Sequence, residues 1–204
     1  GKPFAKYWLH NGFIMVNNEK MSKSAGNFFT VREIAAEFPY EVIRFFILNG
    51  HYRSPLNFSR DLMQACQNGL ERIKNCNSDL QHYIDNCGDT NMTEDEKAQL
   101  SELDKFRVQF ETAMDDDFNT ADAVSSIYEL VRFINKNLKE NVSKEFAEKE
   151  MEMLGKLCGV LGINKEKEKA DDGDTALIEE LIAKRADAKK NKNFAEADAI
   201  RDKL

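Results

Sequence analysis

The sequence predicts a mainly α-helical fold: a four-helix bundle, preceded by a short α/β segment and followed by a small helical unit. Across residues 59–161, four stretches repeat apolar side chains at the spacing of an amphipathic helix, with short polar connections between them. A charged run at 165–174 contains one apolar residue and is typical of a solvated linker. We therefore divide the chain into residues 1–57, 58–164, the linker and 175–204.

Short elements are expected before the bundle. Residues 13–16 are an apolar run that predicts a strand. Thr30 and Glu33 stand three apart as a capping box, so a helix should start at Thr30 and end before Pro39. Pro39 suits the first turn of a second helix, which should stop at Gly50.

Each bundle helix has a capping residue at its predicted start. The four caps are Ser59, Thr93 with Glu96 as a capping box, Asn119 or Thr120, and Ser143. The apolar positions expected to face the interior are Leu62, Cys66, Leu70, Ile73, Leu80, Ile84, Leu100, Leu103, Phe106, Phe110, Ala113, Ile127, Leu130, Val131, Ile134, Leu138, Phe146, Met151, Leu154, Leu157 and Leu161. After the linker, we expect a helix over 175–190 and another capped by Asn193.

Composition describes a soluble globular chain, with 42% apolar and 32% charged residues. No apolar run is long enough to cross a bilayer, and four unpatterned cysteines fit free thiols in a reducing cytosol. The net charge of −7 argues against a nucleic-acid partner unless charge is sorted locally. Residues 184–203 carry seven basic and four acidic side chains, a local charge of +3, whereas the acidic excess lies mostly at 85–122.

A cationic loop is the most informative feature of the chain. Residues 20–24 read Lys-Met-Ser-Lys-Ser, and Ala-Gly-Asn follows. Lysine is a point charge that can follow phosphates, while hydroxyl and loop N–H groups add hydrogen bonds. This composition suits a site where negative charge builds on a nucleotide triphosphate during reaction.

The loop and four further blocks resemble the class I cysteinyl-tRNA synthetases. Those blocks are Tyr-Trp-Leu-His-Asn-Gly-Phe at 7–13, Asn-Phe-Phe-Thr-Val-Arg at 27–32, Gly-His-Tyr-Arg-Ser-Pro-Leu-Asn-Phe-Ser at 50–59 and Ala-Met-Asp-Asp-Asp-Phe-Asn-Thr at 113–120. A last set of matches lies at 181–201. The resemblance implies a remnant of the class I catalytic domain, a DALR-type helical bundle and part of an anticodon-binding domain. It also implies ATP-dependent activation of L-cysteine to cysteinyl-adenylate and transfer to tRNA(Cys), by a cytoplasmic enzyme that we expect to be a monomer.

The resemblance assigns roles to the loop. Lys20 and Lys23 would be catalytic, and the ATP-binding set would be those two lysines with Ser22 and Ser24. ATP would be used with Mg²⁺. Gly26 would let the loop open and close.

The resemblance also implies tRNA contacts. Arg185, Lys189 and Asp198 match positions that the family uses at the anticodon. Lys189 stands where arginine is frequent, so we expect a phosphate contact there, because lysine lacks the planar fork. Arg53 either faces tRNA or locks a helix to a loop, and the sequence leaves both open.

Other family features are missing. The family has a nucleotide-binding half with a His-x-Gly-His signature and a zinc site, and neither is found here. The chain opens on Gly1, so we expect a C-terminal piece that is inactive alone, with the zinc ligands outside it. No metal site is predicted, and residues 115–117, three aspartates, should serve in capping and surface contacts. The alternatives are a non-catalytic tRNA-binding module of synthetase origin, the cysteine ligase of mycothiol synthesis, and a plain helical scaffold.

Overall fold

The structure is a computed structural model that describes residues 4–88 and 90–163, together with Leu181, Lys184, Arg185 and Asn193. The chain divides into two compact units, Gly1–Asn164 and Lys165–Leu204. The predicted linker, most of the two helices predicted after it, and the candidate residues Lys189 and Asp198 lie outside the described residues.

A small three-stranded sheet forms the first part of the fold. Its strands are β1 (Ile14–Val16), β2 (Glu19–Lys20) and β3 (Leu56–Phe58), in the order β2-β1-β3. Asn17 and Asn18 join β1 to β2 antiparallel, with φ of 50° and 65°, values that Asn tolerates better than most residues. β3 pairs with β1 in parallel. The sequence predicts β1 alone, because a two-residue and a three-residue strand carry too little periodicity to detect.

Two short helices connect the sheet strands, α1 (Val31–Ala35) and α2 (Tyr40–Leu48). The predicted capping box is present: the Thr30 N–H donates to Glu33 Oε2 over 2.6 Å, and the Glu33 N–H donates to Thr30 Oγ1 over 3.3 Å. Pro39 is the N-cap of α2. Both helices therefore begin where local sequence signals place them.

The four helices of the bundle are α3 (Arg60–Asn86), α4 (Glu94–Asp115), α5 (Thr120–Glu140) and α6 (Lys144–Leu161). Their N-caps are Ser59, Thr93, Asn119 and Ser143, and each cap side chain accepts a hydrogen bond from the backbone N–H three residues later. These starts agree with the predicted ones, and the mainly α-helical fold class is confirmed. None of the helices in the described part of the chain is long and apolar enough to cross a membrane.

The core runs from the bundle into the sheet. Phe58 of β3 is buried, with its ring 4.4 Å from that of Phe29 and 6.0 Å from that of Phe46. One predicted core position is wrong: Leu62 is 44% exposed, and its neighbour Met63 is fully buried. Met63 lies two helical turns before the buried Leu70 and shares its face, whereas Leu62 lies to one side of that face. The boundary predicted between residues 57 and 58 falls inside β3.

Candidate functional site

The two lysines of the cationic motif lie on different elements. Lys20 is the last residue of β2 and pairs with Met15 of β1, so it is part of the sheet. Lys23 lies in the loop that follows. The sequence interpretation, which places both lysines on one mobile loop, is therefore wrong for Lys20. The reason is the turn at residues 17–18, which folds the chain back and fixes the hairpin register.

Asn27 closes this loop. Its Oδ1 accepts from the Ser22 N–H over 2.9 Å, and its Nδ2 donates to the Lys20 carbonyl over 3.3 Å. The Ser22 hydroxyl accepts from the Ala25 N–H over 3.2 Å and lies 3.3 Å from the Ser24 hydroxyl. Sequence reasoning assigned no role to Asn27. An Asn directly after a glycine is a turn signal that could have indicated one.

The backbone conformation at position 26 requires glycine. Its φ is +69°, in the left-handed region, and no atom lies within 4 Å of where a Cβ would stand. Its N–H donates to the Lys23 carbonyl over 3.2 Å. A substitution at Gly26 would therefore strain the turn that carries Lys23 without clashing with a neighbour.

Both ammonium groups lie near exposed aromatic rings. Lys20 Nζ is 5.7 Å from the ring centroid of Phe13, and Lys23 Nζ is 5.4 Å from that of Phe28. The ion pairs found within the described residues include neither lysine. A cation–π contact at an exposed site contributes only about 0.5–1 kcal/mol. An arriving phosphate would therefore have little to displace at either lysine.

Arg53 lies in a separate cluster, between the segment that follows α2 and the turn between α4 and α5. Its Nε is 2.7 Å from Asp117 Oδ2 and donates to the Tyr52 hydroxyl over 2.8 Å. Tyr52 donates to Asp117 Oδ1 over 2.8 Å, and His51 Nε2 lies 4.0 Å from that carboxylate. The hydrogen bond to Tyr52 and the Asp117 charge raise the pKa of Arg53. This geometry favours the structural junction left open above, although 62% of the Arg53 side chain is exposed.

The remaining candidate tRNA residues belong to the second compact unit. Arg185 is helical and half-buried, and its Nε makes no hydrogen bond with the described residues. Lys189 and Asp198 lie outside the described residues.

No group of three His, Cys, Asp or Glu side chains in the described part of the chain could hold a metal ion. All four cysteines are free, and burial raises the pKa of the Cys76 and Cys158 thiols to about 12. Without such a group, the described residues do not fit the zinc that the resemblance implies for the family.

Two family models match the chain. Residues 1–68 match the class I (C) tRNA synthetase catalytic domain, and residues 109–166 match the DALR domain. The first region contains the sheet and the loop after β2, and the second contains the C-terminal end of α4 with all of α5 and α6.

Curated relatives match over the whole chain. A cysteine–tRNA ligase of Lachnospira eligens is 51% identical over 205 residues, and one of Clostridioides difficile is 52% identical over 205 residues. In each case the match includes 100% of this chain and 43% of the relative, so the chain spans less than half the length of these proteins.

A solved structure shows a related fold. It is the ternary complex of the Agrobacterium radiobacter K84 LeuRS with tRNA and LeuAMS, with a TM-score of 0.57 and 20% identity. The match covers 76% of this chain and 22% of that one, and at this identity it concerns the fold alone. With the cationic loop, the bundle and the relatives taken together, the chain belongs to the class I cysteinyl-tRNA synthetase family.

Proposed function

We propose that the protein containing this chain is a cysteine–tRNA ligase. It would activate L-cysteine with ATP and Mg²⁺ to cysteinyl-adenylate and transfer the cysteine to tRNA(Cys), as a monomer in the cytoplasm. The observation that carries the proposal is the Lys-Met-Ser-Lys-Ser segment, whose two ammonium groups have no carboxylate partner among the described residues. The relatives named cysteine–tRNA ligase support the choice of amino acid.

The chemistry of activation explains the need for these lysines. A carboxylate attacks the α-phosphate of ATP, and negative charge grows on the departing pyrophosphate. A cation that meets this charge only in the transition state raises kcat, whereas one that binds ATP equally throughout lowers KM alone. Lys23 would make the transition-state contact from the loop, and Lys20 would support it from β2. Ser22 and Ser24 would shape the loop and donate to phosphate oxygens.

The tRNA contacts are proposed on the second unit and on Arg53. Arg185 and Asp198 would contact bases of the anticodon, since arginine and aspartate pair with exposed base edges in unstacked loops. Lys189 would contact a phosphate. The local +3 charge over residues 184–203 supports an RNA-facing surface in a chain whose net charge is −7. Arg53 would reach tRNA through the part of its side chain left exposed beside Asp117.

The test uses the full-length protein. We expect cysteine-dependent exchange between ATP and pyrophosphate, and charging of tRNA(Cys) but less of the same tRNA with a changed anticodon. Lys23→Ala should lower the kcat of exchange on the order of 100-fold with little change in the KM for cysteine, because it removes a transition-state contact. Lys6→Ala is the control, since Lys6 is an exposed lysine outside the loop.

Three results would contradict parts of the proposal. Wild-type protein that shows no cysteine-dependent exchange is not a cysteine ligase. Equal kcat values for Lys23→Ala and Lys6→Ala would remove Lys23 from the chemistry, even if the protein charges tRNA. Equal charging of tRNA(Cys) and of the same tRNA with a changed anticodon would contradict the proposed recognition of anticodon bases by the second unit.

A further inference from the structure

The turn between α4 and α5 has an unusual backbone. Asp117 and Phe118 have φ of 55° and 56°, so two successive residues other than glycine adopt the left-handed conformation. Such residues persist only where surrounding contacts hold them. Here the Phe118 N–H donates to the Met114 carbonyl over 3.1 Å, and the Asn119 N–H donates to the Ala113 carbonyl over 3.0 Å. The turn is therefore held in one conformation by the end of α4.

This turn holds the segment that follows α2, residues 50–53. The two oxygens of Asp117 accept from the Tyr52 hydroxyl over 2.8 Å and contact the Arg53 guanidinium at 2.7 Å and 3.2 Å. Beside them, the Thr120 hydroxyl lies 3.4 Å from the Gly50 carbonyl. Both ends of the segment thus contact the turn between α4 and α5, although more than sixty residues separate the segment from this turn along the chain.

The same segment anchors the start of β1. The Gly12 N–H donates to the Tyr52 carbonyl over 2.6 Å, and the Leu56 N–H donates to the Phe13 carbonyl over 2.9 Å. A Cβ at Gly12 would stand 2.1 Å from the Ser54 carbonyl oxygen, so this close approach requires glycine. The position of β1 is therefore set against residues 52–56.

β1 in turn sets the position of the catalytic candidates. It pairs directly with β2, which ends at Lys20. Loop residues 21–27 follow, and Asn27 returns to the Lys20 carbonyl. A displacement of β1 would move Lys20 and the start of the loop with it.

We propose that Asp117 is a positioning residue for the activation step. From the turn between α4 and α5, it fixes the 50–53 segment and thereby β1, which pairs with β2 and so sets the position of the lysine loop. This inference rests on the proposed function. Asp117 touches neither ATP nor cysteine in this role, and it acts through Tyr52, Arg53 and Gly12.

The chemistry of the contact explains why a carboxylate is needed. Two acceptor oxygens serve the Tyr52 hydroxyl and the fork of Arg53 together, whereas an amide offers one acceptor oxygen. The Asp117 and Arg53 side chains are 41% and 62% exposed, so their ion pair contributes little to overall stability. Variants at Asp117 should therefore fold, and their effect should be local.

The first test measures amide hydrogen exchange on the 204-residue chain. Asp117→Ala should raise the exchange rate of the Gly12 amide about tenfold, because the Tyr52 carbonyl that accepts its hydrogen bond is no longer held in place. Asp115→Ala is the matched control: Asp115 is an exposed carboxylate two residues away, and the hydrogen bonds and ion pairs to residues 50–53 come from Asp117 and Thr120. Equal rates for Gly12 in the two variants would overturn the inference.

The second test measures exchange between ATP and pyrophosphate in the full-length protein, without tRNA. Asp117→Ala should lower kcat about tenfold with the KM for cysteine unchanged, and Asp117→Asn should lie between it and the wild type. In an Arg53→Ala background, Asp117→Ala should add much less than its single effect, because both remove one contact.

The outcomes distinguish failure of the positioning role from failure of the proposed function. Additive effects of the two substitutions, or a raised KM at unchanged kcat, would overturn the positioning role in an active enzyme. Absence of exchange activity in the wild-type protein would count against the proposed function alone, and the Gly12 measurement would still decide whether Asp117 sets the position of β1.

Discussion

The Glu150 carboxyl group lies fully buried between the bundle helices. Its Oε1 accepts from Asn137 Nδ2 over 2.6 Å, and its Oε2 has no hydrogen-bond partner among the described residues. Burial raises the pKa of Glu150 to about 7, with a further contribution from the Glu96 charge and an opposing one from Asn137. Relative to the ordinary value of 4.5, such a shift corresponds to about 3 kcal/mol.

This shift predicts a pH-dependent stability at the scale of one residue. Because the folded-state pKa lies above the unfolded one, the folded chain binds more protons between pH 4.5 and about 7. The stabilisation is full below pH 4.5 and is lost as the pH rises through about 7. Glu150→Gln should therefore flatten the fall in the free energy of unfolding between about pH 4.5 and 7 that the wild type shows in urea titrations. Glu148→Gln, at an exposed site on the same helix, should keep the wild-type slope. A Glu150→Gln slope equal to that of the control would contradict the assignment.

At the scale of elements, Glu96 joins the starts of two helices. Its Oε2 accepts from the Thr93 N–H over 2.7 Å and from the Thr93 hydroxyl over 3.0 Å, which completes the capping box of α4. Its Oε1 accepts from the Ser143 N–H over 2.6 Å at the N-cap of α6. Burial acts to raise the pKa of Glu96, but these hydrogen bonds outweigh it and the pKa is lowered. One carboxylate thus fixes α4 and α6 to each other.

Removing this carboxylate should loosen both helix starts. We expect Glu96→Ala to lower the free energy of unfolding by about 2 kcal/mol, because at least two backbone N–H groups lose their acceptor. Asp95→Ala, an exposed acidic residue in the same first turn, should cost less than about 0.5 kcal/mol. Urea unfolding at pH 7 measures both variants. Equal losses would show that charge at the N-terminus of α4, and not the bridge to Ser143, carries the effect.

At the scale of the whole first unit, the sheet and the bundle share one core. Phe58 contacts Phe29 from the loop side and Phe46 from α2, and it directly precedes Ser59, the N-cap of α3. Arg44 adds a second tie, since its Nε donates to the Leu161 carbonyl at the end of α6 over 2.8 Å. The sheet next to the lysine loop therefore packs on the same core as the bundle.

A shared core predicts a single unfolding transition for the first unit. Phe58→Ala should lower its free energy of unfolding by about 3–5 kcal/mol, because it leaves a cavity beside two aromatic rings. Trp8 fluorescence and far-ultraviolet circular dichroism should follow this loss together. Tyr40→Ala, at a residue 67% exposed on α2, should change little. Two separated transitions in Phe58→Ala would show that the sheet and the bundle fold independently.

Local sequence determined much of this protein. The caps of the four bundle helices, the capping box at Thr30, the strand at 14–16 and most inward apolar positions follow from signals within about four residues of each site. The Lys-Met-Ser-Lys-Ser segment and its companion blocks were enough to indicate the family, because a motif is a local string.

The tertiary structure alone decided which distant residues meet. Arg53 and Asp117 are 64 residues apart, and Glu96 and Ser143 are 47 apart, so no spacing rule relates them. The placement of Lys20 on a strand and the parallel pairing of β3 have the same origin. Propensity and periodicity describe a segment by itself, whereas register, helix rotation and long-range ion pairs depend on which surfaces pack together in the folded chain.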